Sequence, residues 1–471
     1  MTENIFENNY TTFIEPIYGP KRNEHHDNLL TTHILESHSY SIHNNERVDM
    51  THYEVYSIDP EGCEDADDAF SIYTNHDNRK LFLAIHIADP TEYIHLRSDL
   101  WQDIVNRTTT KYLSNRKPIH MIPDSILKLS SLKGDHEHKK AISILSEIDT
   151  SNYTPIGDIR LVFSKLRVKA ENAFSYKQAS ENHAIDAFQI GLKISKALQQ
   201  IRSTHTKGVK LNELSTAYTL YDNNNNAYLY QDTPEEKAMK QMIAEFAIFA
   251  NSFVGEYLKN TLNMGIFRTC EAKEWLSTTS NNITGEEMIQ QIIMNGITAD
   301  YLSSAKSHDL VGMPEYCHFT SPIRRLADCI CHYLLKFIHL RNHNPSLEMP
   351  FTEHELETLS LRCLQATKKD KKNQYLDIKF RLLHVMHHMI MDNGSVTLEY
   401  YITGYSGLFL NVIICKINHF HVHMSYTLRV RDYCKEINNS LHYTITCSTV
   451  HCFTKYDQGC IPELDNAILY G

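Results

Sequence analysis

One segment, running from Ile58 to Phe70, reads I-D-P-E-G-C-E-D-A-D-D-A-F and governs the interpretation of the whole chain. Its acidic residues are Asp59, Glu61, Glu64, Asp65, Asp67 and Asp68. Like charges at this density repel one another unless a cation lies among them. Alternating apolar and polar residues over 53–58 and 69–73 predict strands on either side, which would hold the acids rigidly. Carboxylates on a rigid frame are hard oxygen ligands, and such ligands suit Mg²⁺ or Mn²⁺.

Two other interpretations of this acidic segment compete with a site for Mg²⁺ or Mn²⁺. A solvated surface loop is the usual meaning of an acidic cluster. A helix–loop–helix calcium site requires glycine at its sixth position and glutamate at its twelfth. Counted from Asp59, those positions hold Glu64 and Phe70, so the calcium pattern fails. The solvated loop and the metal site both remain open on these residues alone.

The composition is that of a globular protein with ample core. The chain has 471 residues, 42% of them hydrophobic, and a net charge of −11. That charge argues against a protein whose whole surface coats nucleic acid, although it allows a local basic channel. The eleven cysteines include no C-x-x-C pair, which indicates reduced, intracellular thiols. Because no signal core and no apolar run of ~20 residues is found, we expect a soluble, cytoplasmic protein.

The spacing of the aspartates resembles a family signature. Asp59, then five residues, then D-A-D-D at positions 65–68 is similar to the catalytic motif of the RNB domain in the ribonuclease II and ribonuclease R family. The resemblance extends from residue 47 to about residue 390. It implies that four aspartates surround a catalytic Mg²⁺, for which Mn²⁺ is a possible substitute. The implied metal ligands are Asp59, Asp65, Asp67 and Asp68.

A second motif, H-F-T-S-P-I-R-R from His318 to Arg325, is also similar to that family. Its threonine or serine is predicted to cap a helix that has Pro322 at the first position. The free N–H groups of such a helix start attract an anion, and two arginines in the same turn suit a phosphate. The resemblance implies that Arg324 is the catalytic arginine, and we place Arg325 beside it as an RNA ligand. Without the family motifs, two surface arginines would be the ordinary interpretation.

Four more residues are candidates for RNA binding. Tyr112 takes the place of the family's aromatic base clamp, and the basic side chains around it suit phosphates. The resemblance implies that Tyr176 and Glu245 contact sugars, where the 2′-hydroxyl distinguishes RNA from DNA. Tyr218, in a hairpin predicted over 215–231, is our candidate for a second base clamp. Ordinary packing of the tyrosines and a solvent-facing helix charge are the competing interpretations.

The fold class predicted is α+β, with three regions. Residues 1–45 form a polar N-terminal extension, residues 46–392 an RNB catalytic domain with mixed sheets and packed helices, and residues 393–471 a small OB-type β-barrel. A capping box at 233–236 predicts the start of a long helix. Two histidine sets lack the cysteines or carboxylates of a zinc pattern. They are His384, His387 and His388, and His419, His421 and His423.

These motifs predict a magnesium-dependent exoribonuclease in which Asp67 and Arg324 are catalytic. The resemblance implies hydrolysis of single-stranded RNA from the 3′ end to nucleoside 5′-monophosphates. We expect a monomer that acts neither on DNA nor at a membrane. The alternative is a catalytically inactive RNA-binding protein of the same fold, because there is no room for the family's cold-shock barrels before Arg47 and the lysine-rich run at 368–372 departs from the bacterial pattern. Internal cleavage of RNA is a third possibility.

Overall fold

The computed structural model describes residues 2–75, 79–206, 216–222, 226–272, 274–275, 292, 296–406, 409–430, 443–447, 449–451 and 467–470. The first 45 residues are largely helical. They form helix α1 (Thr2–Asn9), a π-helical turn (Tyr10–Ile14), a 3-10 turn (Glu15–Tyr18) and helix α2 (Glu24–Leu30). Asn23 caps α2, because its side-chain oxygen accepts a hydrogen bond from the N–H of His26 at 3.0 Å.

The acidic segment lies between the second and third strands of the chain. The first six strands are β1 (Val48–Asp49), β2 (Ser57–Asp59), β3 (Asp68–Thr74), β4 (Leu81–Ala88), β5 (His138–Ile148) and β6 (Pro155–Arg167). Five of them form a sheet in the order β1-β6-β5-β4-β3, antiparallel except for β1 on β6. β2 instead pairs in parallel with β7 (Ala173–Ser175). The acids are thus fixed at both ends by strands, as predicted.

The remaining elements before residue 394 are mostly helical. The helices are α3 (Asp99–Arg107), α4 (Asp124–Ser130), α5 (Tyr176–Glu181), α6 (Asp186–Thr206), α7 (Pro234–Leu262), α8 (Leu326–Arg341) and α9 (Glu353–Asn393). The short strands are β8 (Tyr218–Tyr221), β9 (Ala227–Tyr230), β10 (Phe267–Thr269) and β11 (Asp300–Leu302). β8 and β9 pair as the hairpin that the sequence predicts.

Helix α7 begins where the capping box predicts it. The Thr233 hydroxyl accepts a hydrogen bond from the N–H of Glu236 at 3.2 Å, and the Glu236 carboxylate accepts one from the N–H of Thr233 at 2.8 Å. Both partners lie within four residues of one another, so the helix start depends on local sequence alone.

The C-terminal strands form a second, open sheet. They are β12 (Val396–Ser406), β13 (Phe409–Ile417), β14 (Phe420–Val430), β15 (Tyr443–Cys447), β16 (Thr449–His451) and β17 (Ala467–Tyr470). Their order is β15-β12-β13-β14-β17-β16, and within the described residues no pairing joins the two edge strands. The OB-type barrel predicted for residues 393–471 is therefore not confirmed. Part of that region, residues 431–442 and 452–466, lies outside the described residues.

Two hydrophobic clusters make up most of the core that the described residues form. The larger one joins the five-stranded sheet to the helices around it through side chains such as Phe70, Phe246 and Tyr333. The smaller one, called the C-terminal cluster below, combines the second half of α9 and the C-terminal sheet with Phe6 and Tyr10. None of the helices in the described ranges is both long enough and apolar enough to cross a bilayer.

Candidate active site

A cavity of about 900 Å³ lies beside the acidic segment and is called the acidic cavity below. Its walls come from residues 58–68, the turn at 320–324, one side of α7, and the segment 109–118, called the Tyr112 loop below. Six carboxylates line it together with four basic side chains. The acids are Asp59, Glu61, Glu64, Asp65, Asp67 and Asp68, and the bases are Arg116, Lys117, Lys240 and Arg324. Such a lining repels a polyanion unless a cation neutralises part of it.

Asp67 connects the acidic segment to the second motif. Its Oδ1 accepts a hydrogen bond from the N–H of Ile323 at 2.8 Å, and its Oδ2 accepts one from Nε of Arg324 at 2.8 Å. Arg324 also donates from Nη2 to the hydroxyl of Ser321 at 2.9 Å. The predicted catalytic pair is therefore in direct contact across 257 positions of sequence.

The helix predicted to begin at Pro322 begins instead at Leu326, so that prediction is wrong. Arg325 separates the turn at 322–324 from the helix, because its backbone is extended (φ −138°, ψ 129°) and forms a β-bridge with Thr109. Asp67 takes the N–H of Ile323, and the Asp328 carboxylate accepts both the N–H of Ser321 at 2.7 Å and Nη2 of Arg325 at 2.9 Å. The N–H of Leu326 donates to the carbonyl of Thr108 at 2.9 Å and not to that of Pro322, so the helical hydrogen-bond pattern starts only after this point.

The other carboxylates are also held by donors of the protein. The Tyr112 hydroxyl donates a hydrogen bond to Oδ2 of Asp65. The Cys63 thiol lies 3.5 Å from Oδ1 of Asp65 and 3.8 Å from Oδ1 of Asp59. Ser57 donates from its hydroxyl to Oδ2 of Asp59 at 2.8 Å. In this conformation the lone pairs that a metal ion would need are partly occupied.

Burial opposes ionisation of the cluster. It raises the pKa of Asp59 to about 6 and the pKa of Asp68 to about 7, and the repulsion between these two carboxylates adds to the shift of Asp68. It also raises the pKa of Asp67 well above the usual range, although the guanidinium of Arg324 opposes this. Carboxylates that resist ionising together are stabilised as anions by a nearby cation.

A divalent cation fits this donor set chemically but has no preassembled cage. In the part of the chain that the structure describes, no three Asp, Glu, His or Cys side chains converge as a metal-binding group, and this includes the two histidine sets. The four aspartates nevertheless line one cavity, and they are the hard oxygens that Mg²⁺ and Mn²⁺ prefer. Binding would require that Tyr112 and Cys63 release the carboxylates they now contact.

Three of the predicted RNA-binding tyrosines lie in or beside the acidic cavity. Tyr112 and Tyr176 line it, and Tyr112 is 37% exposed. The Lys240 ammonium lies 5.4 Å from the ring centroid of Tyr176 and 4.8 Å from that of Tyr218. Tyr218 is not among the lining residues, and its hydroxyl donates a hydrogen bond to Asp232 at 2.9 Å. Lys240 therefore joins the second candidate clamp to the cavity wall.

Glu245 and Arg325, the other two predicted RNA ligands, do not line the cavity. Glu245 is 1% exposed, so the competing interpretation as a solvent-facing charge is wrong. Its carboxylate accepts hydrogen bonds from Nη2 and Nε of Arg202 at 2.5 and 3.2 Å. Arg325 is paired with Asp328. Both residues hold structural partners, which gives no support to direct contact with RNA.

Sequence reasoning missed the wall that α7 contributes to the cavity. That wall consists of Lys240, Ile243, Ala244 and Ala247. Their spacing of i, i+3, i+4 and i+7 places them on one face of a helix. The sequence contains a signal for this wall. A basic residue followed by small and apolar residues along one helix face is typical of a helix that borders a cleft, whereas a helix buried on all sides lacks the basic residue.

The sequence is similar to those of known proteins. The family model described as RNB domain matches residues 47–340. The exosome complex exonuclease RRP44 homolog A of Arabidopsis thaliana is 27% identical over 353 residues, covering 63% of this chain and 36% of that protein. This chain spans between about a third and about a half of the length of the curated relatives that it matches.

Two solved structures share the fold. Mycoplasma genitalium RNase R in complex with ribose methylated single-stranded RNA has a TM-score of 0.70 at 16% identity, over 95% of this chain and 76% of that one. Yeast Ssd1, a pseudonuclease, has a TM-score of 0.62 at 16% identity, over 82% of this chain and 53% of that one. At such identities the likeness shows the fold alone.

Proposed function

This chain belongs to the RNB family, and on that premise we propose that it is a divalent-metal-dependent exoribonuclease. It would remove nucleotides from the 3′ end of single-stranded RNA as nucleoside 5′-monophosphates. The observation that carries the proposal is the meeting of four aspartates and one arginine in a single cavity. Two comparisons support it: the Arabidopsis relative is named an exonuclease, and the RNase R of the same fold was solved with single-stranded RNA.

The aspartates would hold Mg²⁺, with Mn²⁺ as a substitute, and these residues are Asp59, Asp65, Asp67 and Asp68. A bound divalent cation supplies a Lewis acid for the phosphate and lowers the pKa of a bound water. Arg324 contributes a guanidinium that neutralises charge developing on the phosphate. Its present partner, the Asp67 carboxylate, keeps it at the cavity until substrate arrives.

RNA would be held by aromatic and basic side chains around the cavity. Tyr112 offers a ring face on which any base can stack, which gives a grip that does not depend on sequence. Tyr176, which lines the cavity, would contact a sugar, and Tyr218 remains the candidate for the second base clamp. We assign Arg325 to holding the catalytic turn through Asp328, and we propose no RNA contact for Glu245. The monomeric state and the cytoplasmic location stay predictions.

The test is chromatographic analysis of all the products released from a uniform single-stranded oligonucleotide. We expect mononucleotides with Mg²⁺ or Mn²⁺ and intact RNA with a chelator. Asp67→Asn should reduce turnover by at least about 100-fold, the order of magnitude that follows when a group acting on transition-state charge is lost. It should leave RNA binding nearly unchanged, and Glu61→Gln, another acid of the cavity, is the matched control. Equal loss of binding and turnover in Asp67→Asn would contradict these roles.

The second candidate function is an RNA-binding protein without catalysis. It is favoured by the occupied carboxylates, since Tyr112, Cys63 and Arg324 contact aspartates that would otherwise be open to a metal. The likeness to a pseudonuclease fold is consistent with it. RNA that is bound but stays intact with either metal would establish this alternative. A ladder of mid-length fragments would instead indicate internal cleavage.

A further inference from the structure

Glu7 bridges two arginines that belong to different parts of the fold. Its Oε1 accepts a hydrogen bond from Nη1 of Arg381 at 2.6 Å, and its Oε2 accepts one from Nη2 of Arg116 at 2.7 Å. Burial alone would raise the pKa of Glu7, but the hydrogen bonds and charges of the two guanidinium groups outweigh it, so that the pKa is lowered. The carboxylate is therefore a firm anion at this position.

The two arginines differ in exposure. The side chain of Arg381 is wholly buried, its guanidinium carbon lies 3.7 Å from the ring centroid of Tyr10, and its Nη2 donates to the carbonyl of Ser114 at 3.2 Å. Arg116 is 26% exposed and lines the acidic cavity. Oε1 of Glu7 is thus bound in the interior by Arg381, and Oε2 contacts Arg116, a cation that lines the cavity.

Two N–H groups of the Arg116 guanidinium already donate to acceptors of the protein. Nη2 is taken by Glu7, and Nη1 donates to the carbonyl of Asn115 at 3.0 Å. Nε lies 3.9 Å from a carboxylate oxygen of Glu15. Two carboxylates of the N-terminal helical segment therefore offset the charge of a residue that lies on the same loop as Tyr112. Lys117, the next residue, has no ion pair among the described residues.

Glu7 is held in place by a framework that does not include the cavity. Phe6 stacks on His384 with ring centroids 4.6 Å apart, and the hydroxyls of Tyr10 and Tyr18 donate to Oδ2 of Asp377 at 3.0 and 2.9 Å. A phosphate group that uses Arg116 must compete with this preorganised carboxylate. Carboxylate and phosphate oxygens bind the same fork of guanidinium donors.

We propose that Glu7 occupies the position of an RNA phosphate at Arg116 and thereby sets the affinity of the cavity for the RNA backbone. When RNA enters, a backbone phosphate replaces Oε2 of Glu7 at Arg116, while Oε1 stays on Arg381. This inference rests on the proposed function, because it takes RNA as the ligand of the cavity. It makes Glu7 a residue that weakens substrate binding although it lies outside the acidic segment.

The test measures affinity for a ribose-methylated single-stranded oligonucleotide, which resists cleavage, over a series of salt concentrations. Glu7→Gln should bind roughly threefold more tightly than the wild type, the gain for one phosphate contact, and the salt dependence should steepen by about 0.7 in the log–log slope. Glu24→Gln removes the same charge from the exposed helix α2 and should change neither quantity. Arg116→Gln should change wild-type affinity little, and should abolish the gain when combined with Glu7→Gln.

Weaker RNA binding by Glu7→Gln with an unchanged melting temperature would overturn the inference. It would show that Glu7 serves only to hold the Tyr112 loop in position. If Glu7→Gln is poorly folded, the Arg116→Gln variant decides, since a large loss of affinity from that change alone would also overturn it. If Glu7→Gln binds RNA more tightly but no variant hydrolyses unmodified RNA, the proposed activity is contradicted and this inference is still supported. No binding by any variant at low salt would overturn both.

Discussion

Burial raises the pKa of Asp68 to about 7, and the neighbouring carboxylate of Asp59 adds to the shift. In the unfolded chain the carboxyl group has its ordinary pKa of 3.8, so it is protonated only below about that pH. Between about pH 4 and about pH 7 the folded state therefore holds a proton that the unfolded state has released. The contribution of Asp68 to the free energy of unfolding falls as the pH rises through this window, which is the opposite of the usual behaviour of a salt-bridged aspartate.

Asp68→Asn should remove that contribution. In the presence of a chelator at pH 8, we expect the variant to be more stable than the wild type by on the order of 1–3 kcal/mol. Urea unfolding at pH 5 and at pH 8 measures the difference, which should shrink at the lower pH. Asp158→Asn, an exposed change in β6, is the control and should leave the pH dependence as it is. An Asp68→Asn variant with the wild-type pH slope would contradict the argument.

Site residues that belong to short sequence motifs could be predicted from the sequence. Residues whose contacts lie far away in the chain could not. The positions of the four aspartates and of Arg324 follow from two short motifs, and all five line one cavity; their roles stay predictions. Cys63 lies inside the first motif, but only the folded loop shows its thiol between two carboxylates. The ion pair between Glu245 and Arg202 joins two helices, and the local sequence around neither residue indicates it.

At the scale of elements, the Tyr112 loop is hydrogen-bonded to helix α9 at two points. Lys111 donates to Asp370 at 2.6 Å near the start of the loop. Further along, the N–H of Ser114 donates to Asp377 at 3.0 Å. Asp377 also accepts the hydroxyls of Tyr10 and Tyr18, so one carboxylate joins the loop, the long helix and the N-terminal segment. The position of the candidate base clamp thus depends on α9.

Asp377→Ala should loosen this connection. Three donors would lose their acceptor, two of them buried, and each buried orphaned group costs about 1–3 kcal/mol, so we expect a loss of about 2–4 kcal/mol after partial relaxation. RNA affinity should fall as well, because the Tyr112 ring is no longer preorganised. Chemical denaturation and a binding titration measure the two effects. Asp392→Ala, an exposed change on the same helix, should affect neither, and a variant with full affinity would show that the loop is positioned without Asp377.

The two strongest helix starts show where local sequence is sufficient. Helix α7 begins at its capping box because both partners of the box lie within four residues. Helix α8 begins four residues later than its proline and serine predict, because Arg325 is extended and pairs with Thr109, and the N–H of Leu326 donates to the distant carbonyl of Thr108. Helix propensity depends on local sequence, so it does not indicate an acceptor that only the tertiary fold supplies.

At the scale of the whole molecule, the N-terminal segment and the C-terminal sheet share one hydrophobic core. Phe6 and Tyr10 pack in the C-terminal cluster with Leu398, Val412 and Cys447. The sequence predicted the α+β class and the alternating strands after residue 393. It did not predict that apolar residues of the polar-looking extension would enter the core of the last sheet, because two aromatic residues in ten show no periodicity.

Phe6→Ala should therefore destabilise a part of the molecule far away in sequence. Loss of a buried phenylalanine costs about 3–5 kcal/mol, and here the loss falls on the C-terminal cluster. Hydrogen exchange should quicken in β12, β13 and β14 and remain slow in β4 and β5. Leu35→Ala, at a side chain that is 78% exposed, is the control. Uniform acceleration in both sheets would show that the two clusters unfold together.

The shared core of Phe6 and Val450 also bears on the order in which a newly made chain can fold. A ribosome releases Phe6 long before β12, β13 and β14, the strands that share its cluster. During that interval the aromatic side chains stay uncovered and open to misassembly or to chaperones. Completion of this cluster therefore awaits the release of Val450, whereas the five-stranded sheet has all its strands as soon as Arg167 has left the exit tunnel.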